Sequence, residues 1–300
     1  MRRFLIWPVV AFCLLPCLSA QDNNGAPQPK PAPPFAPIPR PADRTVTKKE
    51  SESVNAVLTE ARKATAEKRY AASEALMLPL TQENPGMILP WVELGTAQLG
   101  LKKYPDAENS FKMALGIDPQ SLQLAQKDKF YQQPDAPGVV AAAATRASRN
   151  TVGGTVTSGD TRTPEIQGVG WASLGEVYAH EGKIAEAQAA FDSAVKAMPA
   201  QAATYRHNEA VVFFEAGQPD AQLAAADQAI ALDPARAANY YFKAQSMVGK
   251  ATSDPKTGKI ILPPGCGEAY QKYLQLEPNG PFSADAKGVL AAAGIQPGKK

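Results

Sequence analysis

The sequence predicts an all-α protein of about five helical hairpins stacked side by side and closed by one further helix. Three observations predict this. Apolar residues recur at helical spacing, on one face of each segment. Prolines end successive segments at a near-constant interval: Pro85 and Pro119 are 34 residues apart, and Pro199 and Pro234 are 35 apart. Between those stops, small and large side chains return at the same offsets, as a repeated supersecondary unit requires.

The clearest unit is QGVGWASLGEVYAHEGKIAEAQAAFDSAVKAMP, beginning at Gln167. Trp171, Leu174, Gly175 and Tyr178 share one face of a first helix. After a turn at Glu181-Gly182-Lys183, Ala187, Phe191 and Ala194 share a face of a second helix, which Pro199 ends. A second copy carries Trp91, Leu94, Gly95, Ala107, Phe111, Ala114 and Pro119, with Gln98 where a tyrosine is expected. An earlier copy is degenerate, keeping Ala61, Tyr70 and Pro85. A later one has Ala210, Phe213, Gly217, Ala229 and Pro234. A fifth has Tyr240, Lys243 and Ala244, then Ala269 and Tyr273. Small residues at the eighth and twentieth positions let the two helices approach closely. Large ones such as Trp171, Tyr178 and Phe191 fill the space between hairpins.

This order of residues resembles the tetratricopeptide repeat, W-x2-L-G-x2-Y…A-x3-F…P. The resemblance implies a right-handed α-α superhelix that binds peptides or assembles complexes, and it implies no reaction. The segment YYFKAQSMVGKATSDPKTGKI together with EAYQKYLQLEPNGPFSADAKGVL resembles exported tetratricopeptide proteins of Acidobacteria, over residues 165–295.

The chain divides accordingly. Residues 1–20 read as a signal peptide: Arg2 and Arg3, an apolar run over 4–18, and the small Ala20 before the cut. An uncleaved membrane anchor and a lipoprotein modified at Cys17 stand as alternatives. Residues 21–47 are proline-rich and read as an extended tether. Hairpins 1 and 2 take 48–121, and hairpins 3 to 5 take 168–296. Residues 122–167 form an insertion, with helical stretches expected at LQLAQKDKFYQQ and at 139–147, then a glycine- and threonine-rich loop. Within hairpin 5, residues 253–265 read as a second insertion, a β-hairpin flap around Thr257-Gly258. Residues 281–293 read as a capping helix over the last apolar face.

Composition excludes several functions. A net charge of +2 and a pI near 8.3 supply no field for nucleic acid. No membrane-spanning stretch follows the signal. Once residues 1–20 are removed, Cys266 is the only cysteine left, so the domain relies on packing and not on disulfides. His180 and His207 are the two histidines of the whole chain. Neither is read with a cysteine or carboxylate at ligand spacing, so no metal is expected. Gly258-Lys259 lacks the earlier glycine and the following hydroxyl of a phosphate loop. No nucleophile motif appears, so no cofactor or catalytic residue is expected.

The family resemblance also implies which residues line the groove, through positions on the first helix of each hairpin. They are Arg62 in hairpin 1, Val92 and Thr96 in hairpin 2, and Glu176 and His180 in hairpin 3. His207, with Asn208 beside it, follows in hairpin 4, then Tyr241 and Gln245 in hairpin 5. The expected function is a non-enzymatic scaffold of the periplasm or secreted space, gripping an extended segment of another envelope protein. Two alternatives are an accessory subunit of an envelope enzyme, with residues 151–163 closing over a substrate, and a structural element that self-associates end to end.

Overall fold

The computed structural model describes residues 48–117 and 162–296. The expected signal and tether, and nearly all of the 122–167 insertion with its two expected helical stretches, lie outside the described residues. Hairpin 1 pairs α1 (Lys48–Ala66) with α2 (Tyr70–Glu83). Hairpin 2 pairs α3 (Ile88–Gly100) with α4 (Tyr104–Leu115). Hairpin 3 pairs α5 (Pro164–His180) with α6 (Ile184–Ala197). Hairpin 4 pairs α7 (Ala202–Glu215) with α8 (Pro219–Leu232), and a 3-10 turn at Pro199–Gln201 precedes it. Hairpin 5 pairs α9 (Ala237–Val248) with α10 (Cys266–Leu276), and α11 (Ser283–Ala292) follows.

The packing order is that of a stacked array. The first helices contact one another in series, α1 with α3, α3 with α5, α5 with α7 and α7 with α9. Each second helix also packs on the first helix of the next hairpin, and α11 packs on α10. Among the described residues this is an all-α solenoid of five hairpins with a closing helix.

Turn geometry shows that the hairpins are copies. Each turn in hairpins 1 to 4 needs one residue in the left-handed region, and Lys68, Lys102, Gly182 and Gly217 supply it with φ of 58°, 60°, 75° and 68°. The next N–H then reaches back five residues: Arg69 to the Ala64 carbonyl, Lys103 to Gln98, Lys183 to Tyr178 and Gln218 to Phe213, all at 2.8–2.9 Å. That closure satisfies carbonyls left open at the helix end. Hairpin 5 departs because its turn holds the flap, in which β1 (Thr252–Ser253) and β2 (Ile260–Ile261) pair antiparallel with Thr252 opposite Ile261.

Close approach explains the small residues. A Cβ added to Gly95 would lie 2.8 Å from the Phe111 ring, and one added to Gly175 would lie 2.9 Å from the Phe191 ring. Trp91 and Trp171 stand in matching places, each four residues before its glycine and each packed at the edge of a buried cluster. Gln98, which replaces the tyrosine, is buried and accepts a 2.7 Å hydrogen bond from Ser110 Oγ. The polar pair closes the space that the ring fills in hairpin 3.

The insertion does not change the register of the stack. Lys103 Nζ of hairpin 2 pairs with Glu74 of hairpin 1 at 2.7 Å, across 29 residues of chain. Lys183 Nζ of hairpin 3 pairs with Glu108 of hairpin 2 at 3.0 Å, across 75 residues. The same contact thus bridges 46 extra residues (75 less 29), and Trp91 and Trp171 are separated by 34 plus the same 46. On the far side of the gap, buried Arg162 locks the end of α4, its Nε donating to the Ala114 carbonyl at 2.8 Å. Gly116, in the left-handed region at φ 67°, lies where a Cβ would be 2.7 Å from that guanidinium. The chain therefore leaves the stack and re-enters it at nearly one place.

Candidate functional site

The series of first helices, α1, α3, α5, α7 and α9, makes one face running through all five hairpins. Side chains on it form three groups. In the first, Arg62 Nε on α1 donates to Glu93 Oε1 on α3 at 2.7 Å. The Glu93 side chain is fully buried; burial pushes its carboxyl above the usual range, and Arg62 pulls it back down. A buried charge of this kind needs its partner, so the pair ties hairpin 1 to hairpin 2. In the same stretch, Thr96 Oγ1 donates to the Val92 carbonyl at 2.8 Å, and Val92 is fully buried in the core cluster of hairpins 1 and 2.

The second group lies where α5 and α7 end. The His180 ring stacks on Tyr104 at 5.1 Å and 16°. Glu176 and Glu215 stand beside it, and one ligand atom from each of the three side chains lies within 4.8 Å of the others. Burial lowers the imidazole below its ordinary value; Glu215 opposes this and Lys102 reinforces it. Glu215 and Tyr104 are not among the residues that the sequence singles out. The separation of Glu176 and His180 by four residues puts them one helical turn apart on α5.

The third group is built around His207, whose Nδ1 lies 2.7 Å from Asn239 Oδ1 and whose ring packs tilted against Phe242 at 5.9 Å. Asn208 beside it is buried. Close by on α7, Glu209 is 3 % exposed and accepts from Arg206 Nη1 at 2.8 Å, while the other arm of Arg206 reaches Asp192. Burial pushes the Glu209 carboxyl up to about 7, with Arg206 opposing.

In hairpin 5 the closing segment covers part of the face. Phe282 stacks flat on Tyr241 at 4.1 Å, and Tyr241 Oη donates to Asp285 Oδ2 at 3.0 Å. Tyr241 is therefore held beneath the cap. Gln245 instead lines a pocket of about 510 Å³ with Phe214, Gln222, Ser246 and Lys250. Cys266 is fully buried, its thiol donates to the Ala244 carbonyl at 3.4 Å, and burial pushes it up to about 11. That environment suits a packing residue and not a nucleophile.

Taken together, repeated turns, repeated glycine-to-phenylalanine contacts and repeated inter-hairpin ion pairs define the fold among the described residues: an all-α array of repeated helical hairpins. No family model matches the chain, and no curated protein matches it. Solved structures similar to it include a thermophilic TPR protein from Thermus thermophilus, at 17 % identity and a TM-score of 0.44, covering 79 % of this chain and 97 % of that one. Another is the C-terminal part of a TPR repeat-containing protein from Cytophaga hutchinsonii, at 13 % identity and a TM-score of 0.32, covering 79 % of this chain and 84 % of that one. Among the described residues, no helix is long and apolar enough to cross a membrane.

Proposed function

We propose that this protein is a non-enzymatic scaffold of the cell envelope that holds an extended segment of a partner protein along its first-helix face. The observation that carries the proposal is the continuity of that face: α3 packs on α5 directly, in register, despite the residues inserted between hairpins 2 and 3. Arg62, Glu176, His180, His207 and Gln245 on this face are half-buried and offer hydrogen-bonding groups to an extended chain. Export is supported by the basic start and short apolar run of residues 1–20. Residues 21–47 would then tether the array at a distance from the point of export.

The test is site-specific photocrosslinking in the native envelope. A crosslinker at Glu176 or Gln245 on the first-helix face is expected to capture one contiguous segment of one protein. The same group at the exposed Glu186 on α6 is expected to capture none of it. Equal capture from both faces, or none from either, would overturn the proposal.

A further inference from the structure

His180 and Glu215 occupy the same position of adjacent hairpins, each nine residues after the first marker position, Trp171 in hairpin 3 and Arg206 in hairpin 4. Stacking makes equal positions neighbours, so the repeat itself brings these two side chains together. Hairpins 2 and 5 have Gly100 and Gly249 at this position, so an imidazole and a carboxylate meet only at the step from hairpin 3 to hairpin 4. Glu176, one turn before His180 on the same face of α5, adds a third donor. One ligand atom from each lies within 4.8 Å of the other two.

We propose that Glu176, His180 and Glu215 form a binding site for a divalent transition-metal ion of the zinc class. One imidazole nitrogen and two carboxylate oxygens are a donor set that zinc, cobalt, nickel, manganese and ferrous iron accept. Magnesium and calcium, which prefer oxygen alone, fit it poorly. Metal bonds of about 2.0–2.2 Å need ligand atoms roughly 3–3.5 Å apart, so modest side-chain rotations close the set around an ion. The stacked Tyr104 ring fixes the imidazole plane. The C-terminal ends of α5 and α7 add partial negative charge nearby. Lys102 opposes a cation here, as it opposes protonation of His180. The site needs no partner protein, so it stands or falls separately from the scaffold reading.

The experiment titrates the untagged, chelator-stripped full chain with cobalt and with zinc, by calorimetry and by visible absorption. One ion per chain is expected, with cobalt giving d–d bands of a nitrogen–oxygen site. Because the chain has two histidines, two variants account for every imidazole. His180→Ala and Glu215→Gln are each expected to weaken binding by roughly tenfold or more. His207→Ala should leave it unchanged, and Lys102→Ala should tighten it. Circular dichroism confirms that each variant is folded. Absence of binding, or binding equally strong in folded His180→Ala and Glu215→Gln, would overturn the proposal.

Discussion

Glu209 shows how a single residue on the first-helix face couples the stack to pH. Burial holds its carboxyl at about 7 against an ordinary 4.5, so the folded chain keeps this proton at a pH where the unfolded chain has released it. The sign follows from linkage: stability falls as pH rises from about 4.5 to about 7, and this contribution is level above that. Glu209→Gln removes the titration while keeping an acceptor for Arg206. Urea unfolding at about pH 5 and about pH 7.5 should show the variant losing less stability than the parent, by on the order of 1–3 kcal/mol. Parallel losses would contradict the assignment. At this scale the sequence is informative where backbone approach dictates residue type, as at Gly95 and Gly175. It is silent on Glu209 and Glu93, whose carboxyls look like ordinary helix surface until a neighbouring hairpin covers them. Glu215 is hidden for a related reason. Arg206 replaces the aromatic marker of hairpin 4, which obscures the register that aligns Glu215 with His180.

Among the elements, connections repeat as faithfully as the helices. Trp91 Nε1 donates to the Pro85 carbonyl at 2.9 Å, and Tyr240 Oη donates to the Pro234 carbonyl at 3.2 Å; each reaches six residues back, from a first helix to the close of the preceding hairpin. The closing prolines legible in the sequence are thus joints as well as stops. The α10–α11 connection has its own device: Tyr273 Oη accepts from the Phe282 N–H at 3.0 Å, and Ser283 Oγ donates to the Glu277 carbonyl at 2.9 Å. These bonds bring Phe282 over Tyr241 and against the fully buried Tyr273. Removing residues 279–300 should expose that aromatic cluster, lower the melting temperature and make particle size grow with concentration in light scattering. A truncated chain that stays monomeric with an unchanged melt would show that the last hairpin needs no cover.

At the scale of the whole molecule, the flap and the cap are legible because turn signals and a final apolar segment mark them. The uninterrupted stack is harder to see. Sequence shows 46 extra residues between two hairpins (75 less 29), and nothing in their composition says whether the array stops and restarts or simply closes over the gap. The structure answers through a repeated contact: a turn lysine reaches an acidic residue of the preceding helices at Lys103–Glu74, at Lys183–Glu108 and, with 2.8 Å between Nζ and Oδ1, at Lys250–Asp220. Exposed pairs like these contribute little stability, about 0–1 kcal/mol each, yet they report register sensitively. Zero-length carbodiimide coupling of the native chain, with mass spectrometric mapping, therefore tests the continuous stack most directly. The expected result is an amide joining Glu108 to Lys183, formed alongside those joining Glu74 to Lys103 and Asp220 to Lys250. Formation of the latter two without the first would mean that hairpins 2 and 3 do not stack, and that the first-helix face is broken between them.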